Sequence, residues 1–159
     1  RKVSGFGMDV RYFDIKRASE DIEKELNARY IPMEELLRES DIVTLHLHAN
    51  DATKNIIGKK EFEMMKKNVV LINVSRAQLV DQEALKDSLY SGKIWGAGLD
   101  VYPKEPTEAN DPILTHPHVV ATPHMGGSTR DTYIEVMKRA VENMRRALRG
   151  EKPLYLVGE

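Results

Sequence analysis

A histidine that could transfer a proton lies in the stretch ATPHMGGST, residues 121–129. His124 is the one histidine of five that is set between a predicted strand end and a glycine turn. Because imidazole changes charge near neutral pH, a histidine held at such a point can work as a general acid and base. The other interpretation is a polar residue at a turn, and the stretch by itself leaves both open.

Two further side chains could bind and orient a small acid. Arg76 follows the apolar run NVVLINV, and its planar guanidinium matches a carboxylate with two parallel hydrogen bonds. Glu105 lies in a loop between Pro103 and Pro106, whose rings restrict the backbone around it. Taken alone, Arg76 could instead be a surface arginine paired with a helix, and Glu105 a solvated loop glutamate.

Two aspartates follow other predicted strands. Asp14 ends the run MDVRYFD, and Asp100 ends IWGAGLD. In a dinucleotide-binding unit, a carboxylate at the position of Asp14 accepts hydrogen bonds from the adenosine ribose and repels a 2′-phosphate, which favours NAD over NADP. Lys16 and Arg17 follow closely and could soften that repulsion. An ordinary turn aspartate is the other interpretation of Asp14.

The elements that must position these residues alternate between strands and helices. Apolar runs predict strands at 8–14, 28–31, 41–47, 68–74, 94–101 and 118–123. Helical spacing and end signals predict helices at 19–27, 32–40, 59–66, 81–90 and 128–149. This alternation predicts an α/β fold with a doubly wound parallel sheet, whose ligands bind beyond the carboxyl ends of the strands. We therefore expect one edge of the sheet to collect the polar residues that follow strands: Asp14, Ser75, Arg76, Asp100 and His124.

The helix ends carry specific signals. Asp81 is expected to cap the fourth helix, and Gly92 is expected to stop it. Ser128, with Asp131 three residues on, resembles a capping box for the long last helix, which Gly150 closes. That helix carries apolar residues at the spacing of a core-facing side: Tyr133, Met137, Ala140, Met144 and Leu148.

The composition argues against several classes of protein. The formal net charge is −1 with mixed signs, so no basic surface indicates a nucleic-acid partner. Cysteine is absent, and no apolar run approaches the ~18 residues that span a bilayer. A soluble, cytoplasmic, single-domain protein without a membrane partner is the default expectation.

The remaining histidines do not indicate a metal site. His46 is expected within a strand as a structural histidine, and the others lie in loops or at strand edges: His48, His116 and His118. Since no pair has metal-ligand spacing with a third partner, we expect no bound metal.

Three segments, in this order, resemble a known family. NVSRAQLVD, GAGLDVYPKEP and VVATPHMGGST are similar to motifs of the cofactor domain in the D-isomer-specific 2-hydroxyacid dehydrogenases. The resemblance runs from about residue 5 to about residue 150. It implies a Rossmann-like sheet, NAD as the cofactor, a small 2-hydroxy or 2-keto acid as the substrate, and a homodimer.

By this resemblance, Arg76, Glu105 and His124 form the catalytic set. Arg76 would hold the substrate carboxylate, and His124 would give a proton to the carbonyl oxygen as hydride reaches the carbon. Glu105 would hydrogen-bond the far imidazole nitrogen, which orients the ring and favours imidazolium. Asp14 would bind the adenosine ribose, and Asp100 the nicotinamide carboxamide. The resemblance places further residues around the nicotinamide: Val74, Ser75, Arg76, His124 and Gly127.

The sequence departs from the family at its start. It has no G-x-G-x-x-G loop, because Gly5 and Gly7 precede a strand rather than opening a helix. We therefore expect residues 1–150 to be a dinucleotide-binding domain without its first strand and glycine-rich loop, and residues 151–159 to be a tail leading back to a substrate domain. A chain of this extent is expected to bind NAD poorly and to turn over little by itself.

Two other functions stay open. A nucleotide-sensing scaffold or corepressor of the same fold would keep these residues and bind NAD(H) with little turnover. A structural domain that binds nothing would make all of them ordinary surface residues. Among substrates, 3-phosphoglycerate, glyoxylate or hydroxypyruvate, and lactate-like acids stay open. Formate is disfavoured, because the formate-oxidising members carry glutamine at the position of Glu105.

Overall fold

The computed structural model describes residues 2–156, except for the side chains of Lys2 and Ser4. The chain divides into two compact units, the first ending at Thr122 and the second beginning at Pro123. The first unit holds the strands and all helices but the last. The described part of the second unit consists of residues 123–129, one long helix and the segment that follows it.

The first unit alternates strands with helices, as the sequence predicts. Its described strands are β1 (Val10–Tyr12), β2 (Ala28–Tyr30), β3 (Ile42–Leu45), β4 (Val69–Asn73), β5 (Ile94–Leu99) and β6 (Val119–Ala121). Its described α-helices are α1 (Glu20–Leu26), α2 (Met33–Glu39), α3 (Lys59–Met64) and α4 (Gln82–Tyr90), with short 3₁₀ turns at Lys2–Phe6 and Ala77–Leu79. The predicted elements are all present, and their ends differ from prediction by a few residues.

The strands form two parallel sheets rather than one. β1 pairs with β2, and β3, β4, β5 and β6 pair in that order, every pair being parallel. The order agrees with a doubly wound sheet of strand order 3-2-1-4-5-6 in which no described strand takes the place between β1 and β3. The α/β class and the Rossmann-like parallel arrangement are therefore confirmed.

The core of the first unit lies where the strands and helices pack on each other. In β4, alternate residues from Val69 to Asn73 are buried and the two between them are half-buried, as expected of a strand covered on both faces. The largest fully buried side chains of the described residues include Leu37, Ile57, Phe62, Met65, Leu71, Leu79, Leu85 and Ile94. This packing fixes the carboxyl ends of β3, β4 and β5, from which the candidate site is built.

Strand β3 is shorter than the sequence predicts. Its pairing with β4 stops at Leu45, which lies opposite Asn73, the last residue of β4. His46 therefore lies just beyond the strand and is exposed, so its predicted place within a strand is wrong. Its ring Nε2 is 3.0 Å from the hydroxyl of Thr44.

The helix ends match prediction with one exception. Asp81 caps α4, because its side chain accepts a hydrogen bond from Ala84 N–H at 3.0 Å, and Gly92 adopts a positive φ after the helix end. The cap of α5 (Arg130–Leu148) is Thr129, whose hydroxyl accepts from Thr132 N–H at 3.2 Å. The predicted cap, Ser128, instead closes a turn through its N–H to Met125 O at 2.9 Å, so the helix begins one residue later than expected.

The second unit does not bury the apolar stripe of its helix. No residue of α5 is buried, and the five residues predicted to face a core are exposed: Tyr133, Met137, Ala140, Met144 and Leu148. The predicted core-facing side is therefore wrong for the described residues, since all five side chains are exposed. The segment after the helix folds back along it, with Asn143 exchanging hydrogen bonds of 2.8 and 3.0 Å with the backbone of Leu154.

No helix in the described part of the chain is both long enough and apolar enough to cross a membrane.

Candidate active site

A buried asparagine holds the loop after β4. Asn73 is 1% exposed, and its side-chain amide donates to the carbonyl of Arg76 at 2.9 Å while its side-chain oxygen accepts from Ser75 N–H at 3.1 Å. The Ser75 hydroxyl donates to Leu45 O, at the end of β3, at 2.7 Å. The backbone of residues 74–76 is thus tied to two strand ends. Val74 and the Arg76 side chain are exposed beside it, with Arg76 Nη1 donating to Ser75 O at 2.7 Å.

A buried carboxylate lies at the neighbouring strand end. Asp100 directly follows β5 and is 5% exposed. Its Oδ1 accepts a hydrogen bond of 2.5 Å from the Thr122 hydroxyl, which lies just past β6, and its N–H donates to Asn73 O at 3.1 Å. Asp100 therefore stands where the carboxyl ends of β4, β5 and β6 meet. A carboxylate oxygen there can accept from an amide such as the nicotinamide carboxamide.

Tyr102 connects the loop of Glu105 to the same strand ends. Its hydroxyl lies 3.0 Å from Leu99 O and 2.7 Å from Thr122 O, and its N–H donates to Glu105 Oε1 at 3.1 Å. Burial, and then the charge of Asp100, raise the pKa of the Tyr102 phenol. Glu105 is exposed, and the Glu105–Pro106 peptide bond is cis. The hydrogen bond from Tyr102 N–H fixes one carboxylate oxygen of Glu105 relative to the sheet.

Asp14 follows β1 and is half-buried. Its Oδ1 accepts from Lys16 N–H at 2.9 Å, and its carbonyl accepts from the Tyr30 hydroxyl at 3.3 Å. A carboxylate has about four acceptor positions, so Asp14 retains capacity for the hydroxyls of a ribose. The position of Asp14 after β1 and its remaining acceptor capacity therefore fit the adenosine side of NAD.

Arg17, three residues after Asp14, is already paired with a carboxylate. Arg17 donates from Nε and Nη2 to the two carboxylate oxygens of Glu23, each at 2.8 Å, and its guanidinium carbon lies 5.7 Å from the centre of the Tyr30 ring. The Tyr12 hydroxyl donates to Glu23 Oε1 at 2.6 Å. Hydrogen bonds from Arg17, and then from Tyr12, lower the pKa of Glu23 to about 2. Burial and the bond to Glu23 raise the pKa of Tyr12.

His124 belongs to the second unit. It is exposed, and its backbone has a φ of 51°, in the left-handed region that is uncommon for residues other than glycine, although histidine adopts it more often than most. A Cβ on the nearby Gly127 would meet no protein atom within 4 Å. Packing among the described residues therefore does not require glycine at 127, and such a requirement would come from a ligand.

The structure brings some of the predicted residues together and leaves others untested. Ser75, Arg76 and Asp100 gather at the carboxyl edge of the four-stranded sheet, and Tyr102 fastens Glu105 to that edge. Asp14 lies at the carboxyl end of the separate two-stranded sheet. The meeting of His124 with Arg76 and Glu105 stays a prediction.

Sequence reasoning missed the residues that position this edge. They are Asn73, Tyr102 and Thr122, and none carries out chemistry by itself. Asn73 had a readable signal, because a polar residue at the end of an almost wholly apolar run must find partners when buried. Tyr102 and Thr122 had none, since their partners lie in other segments of the chain.

Two further histidines, His116 and His118, lie at the opposite edge. The His118 ring stacks on Trp95 with centroids 4.9 Å apart, and the His116 ring meets Tyr90 edge-on at 5.1 Å. These rings line a shallow cleft of about 370 Å³ at the amino ends of β5 and β6. Within residues 2–156, no group of three or more histidine, aspartate or glutamate side chains is placed to hold a metal ion.

Comparison with known proteins identifies the fold and the family. The family profile described as "D-isomer specific 2-hydroxyacid dehydrogenase, NAD binding domain" matches residues 1–126. A glyoxylate reductase of Korarchaeum cryptofilum is 42% identical over all of this chain and 48% of its own length. A glyoxylate/hydroxypyruvate reductase B of an Enterobacter species is 42% identical over 92% of this chain and 45% of its own length. The chain spans about half the length of these curated relatives.

Solved structures agree with this match. The holo form of D-mandelate dehydrogenase from Rhodotorula graminis superposes with a TM-score of 0.90 at 33% identity, over 99% of this chain and 46% of that one. The TT0316 protein of Thermus thermophilus gives a TM-score of 0.90 at 34% identity, over 99% of this chain and 48% of that one. The resemblance inferred from the three motifs is thus confirmed. This chain belongs to the D-isomer-specific 2-hydroxyacid dehydrogenase family and matches its NAD-binding domain.

Proposed function

We propose that the protein is an NAD-dependent oxidoreductase that transfers a hydride between NAD(H) and a small 2-hydroxy or 2-keto acid. Glyoxylate and hydroxypyruvate are the first candidate substrates, because the curated relatives described above are named for reducing them. The observation that carries the proposal is the gathering of Ser75, Arg76 and Asp100 at one sheet edge, with Glu105 fastened to it.

Arg76 is the proposed anchor for the substrate carboxylate. Its loop is fixed by Asn73 and Ser75, while its own side chain is exposed. A guanidinium on a fixed backbone can bind a carboxylate through two parallel hydrogen bonds. This holds the carbonyl of a 2-keto acid at a set distance from the loop.

His124 is the proposed proton donor in reduction, and the acceptor in oxidation. Glu105 would accept a hydrogen bond from the other ring nitrogen, which orients the imidazole. The support for this pairing is the carboxylate of Glu105, which Tyr102 N–H holds in place, and the left-handed backbone of His124, a conformation that costs free energy and clusters at active sites. Such proton transfer contributes roughly 10²–10⁴-fold to rate.

Asp14, Asp100 and Gly127 are the proposed contacts to the cofactor. Asp14 would accept from the ribose hydroxyls, and Asp100 from the carboxamide, which sets the face of the nicotinamide ring that the substrate meets. Gly127 would leave room beside that ring. NAD supplies the hydride chemistry when bound.

The test is the consumption of NADH by the full-length protein with a panel of 2-keto acids that includes glyoxylate, hydroxypyruvate, pyruvate and 3-phosphohydroxypyruvate. Turnover of a small 2-keto acid, with formation of the D-isomer where the product is chiral, supports the proposal. Binding of NADH without turnover of any acid in the panel would favour the nucleotide-sensing scaffold. Absence of both would favour a structural domain.

The finer expectations from the sequence belong to the same proposal. We propose a cytoplasmic homodimer, a preference for NAD over NADP, and a dinucleotide-binding domain that covers residues 1–150 with 151–159 as a connecting tail. Sedimentation of the full-length protein tests the dimer. Limited proteolysis tests the boundary near residue 150, because cleavage concentrates in connecting segments between domains.

A further inference from the structure

Of the two basic residues after Asp14, Arg17 does not present a free guanidinium. Arg17 and Asp14 both contact Tyr30: the Arg17 guanidinium carbon lies 5.7 Å from the centre of the Tyr30 ring, and the Tyr30 hydroxyl donates to Asp14 O at 3.3 Å. The Nε and Nη2 of Arg17 are both engaged by Glu23, however, at 2.8 Å each. The guanidinium of Arg17 is therefore already paired.

Glu23 is itself held in place. Its side chain is 12% exposed, and Tyr12 donates to it at 2.6 Å, so the acceptor of the Arg17 fork is shielded and fixed. The Tyr12 hydroxyl also accepts from Ala18 N–H at 2.9 Å, which anchors the turn that carries Arg17. If Arg17 turned away, it would leave a largely buried carboxylate with a weaker set of partners, which is unfavourable.

A 2′-phosphate on the adenosine ribose would need a cation at this place. Dinucleotide sites that accept NADP use an arginine near the end of this strand, whereas an acidic residue there suits the bare ribose of NAD. The chain has both kinds of residue, Asp14 and Arg17. The contacts of Arg17, rather than its presence in the sequence, thus bear on cofactor choice.

We propose that Glu23 is a specificity-determining residue that withholds Arg17 from the 2′-phosphate of NADP(H). Two carboxylates then act against NADP: Asp14 repels the phosphate, and Glu23 neutralises the cation that would bind it. The inference rests on the proposed NAD-dependent function and adds the origin of its cofactor selectivity. A plain structural alternative is that the Arg17–Glu23 pair only fastens α1 to β1.

The experiment is to measure dissociation constants of NADH and NADPH by calorimetry for the full-length protein, at one ionic strength. The variants are Glu23→Gln, Asp14→Asn and the double variant. Glu20→Gln is the matched control, because it removes the same charge from the same helix at a side chain that contacts Lys24 at 3.7 Å. Arg17→Met, alone and combined with Glu23→Gln, tests whether Arg17 is the side chain that Glu23→Gln frees to bind the 2′-phosphate.

The expected result is a shift of the NADPH-to-NADH affinity ratio toward NADPH by about tenfold in Glu23→Gln, the size of one charge-assisted hydrogen bond. Glu20→Gln should shift the ratio by less than about twofold, since exposed charges at a distance are screened. The double variant, Glu23→Gln with Asp14→Asn, should shift the affinity ratio toward NADPH further than either single variant does. Adding Arg17→Met should erase the gain from Glu23→Gln.

Several outcomes would overturn the inference. They are an unchanged ratio in Glu23→Gln, an equal shift in Glu20→Gln, or a gain that persists without Arg17. If Glu23→Gln unfolds, Glu23→Asp is the second variant, because its shorter side chain weakens the two hydrogen bonds with Arg17. It should shift the ratio toward NADPH by a smaller amount that Arg17→Met cancels, and an unchanged ratio contradicts the proposal. Failure of the wild-type protein to bind NADH is a different result and counts against the proposed function itself.

Discussion

The hydroxyl of Thr122 donates a 2.5 Å hydrogen bond to the carboxylate of Asp100, which joins the ends of β5 and β6. The carboxylate is 5% exposed, so its partners must come from the protein or a ligand. The same strand end receives the Tyr102 hydroxyl at Thr122 O. Thr122 therefore helps to position Asp100 and Tyr102 at the carboxyl edge of the sheet, although it is not proposed to touch the cofactor.

Replacing Thr122 with valine should cost about 1–3 kcal/mol of unfolding free energy, because Asp100 loses a donor in a buried place. We also expect weaker NADH binding, since the carboxylate is then less well held. Urea unfolding and calorimetric titration measure the two effects. Thr122→Ser keeps the hydroxyl and should restore most of both, and equal losses in the two variants would show that the hydroxyl is not the cause.

Replacing Asn73 with alanine should loosen the loop that carries Arg76. Both side-chain hydrogen bonds of a residue that is 1% exposed are lost, which should cost about 2 kcal/mol or more. Because Arg76 is the proposed carboxylate anchor, KM for the 2-keto acid should rise more than kcat falls. Asn68→Gly is the comparison, because it removes the same side chain at the amino end of β4 and keeps the left-handed backbone of residue 68, whose φ is 69°. An unchanged KM in Asn73→Ala would contradict this role of the loop.

Two glycines of β5 provide a matched pair for packing. A Cβ at Gly96 would lie 2.3 Å from His118 O, whereas a Cβ at Gly98 would lie 3.7 Å from Ile72 Cγ1, an ordinary contact. Gly96→Ala should therefore force β5 and the segment before β6 apart and destabilise the protein by about 1–3 kcal/mol or more. Gly98→Ala should be near neutral in thermal unfolding. Similar melting temperatures for the two variants would contradict the predicted approach of β5 to His118.

The loss of unfolding free energy at acidic pH should depend on Glu23. Its pKa is lowered from 4.5 to about 2 in the folded protein, by Arg17 first and Tyr12 second. A group with a depressed folded pKa stabilises the protein above its unfolded pKa, and this stabilisation is lost as pH falls through the window from 4.5 toward 2. Glu23→Gln should thus be less stable than wild type at pH 7, with the difference shrinking as pH falls toward about 3. A difference that is constant across this range in urea unfolding would contradict the ion pair.

Most of the fold could be predicted from the sequence, because apolar runs and helical spacing are local signals. The order of strands and helices, the parallel pairing and the Asp81 cap follow from such signals. The cap of α5 at Thr129 rather than Ser128 could not, since neighbouring serine and threonine both cap well and the turn at Met125 decides between them.

The limits of sequence reasoning are clearest where distant segments meet. The apolar stripe of α5 has helical spacing, but spacing does not say whether a second layer covers it. The sequence alone suggests that Arg17 is a free cation, and only its contacts with Glu23 in the structure show that it is paired. The residues proposed to act at the site could be predicted from the sequence, whereas most of the residues that position them, such as Tyr102 and Thr122, could not.

The most direct test of the account is a double-mutant cycle on kcat for glyoxylate reduction, with His124→Asn and Glu105→Gln in the full-length protein. Asparagine suits the left-handed backbone at residue 124, so the variant removes the imidazole with little backbone cost. We predict a loss of roughly 10²–10⁴-fold in kcat for His124→Asn, a smaller loss for Glu105→Gln, and no further loss in the double variant, because Glu105 acts through the imidazole. A kcat within about tenfold of wild type in His124→Asn, or losses that multiply in the double variant, would contradict the proposed acid and its partner.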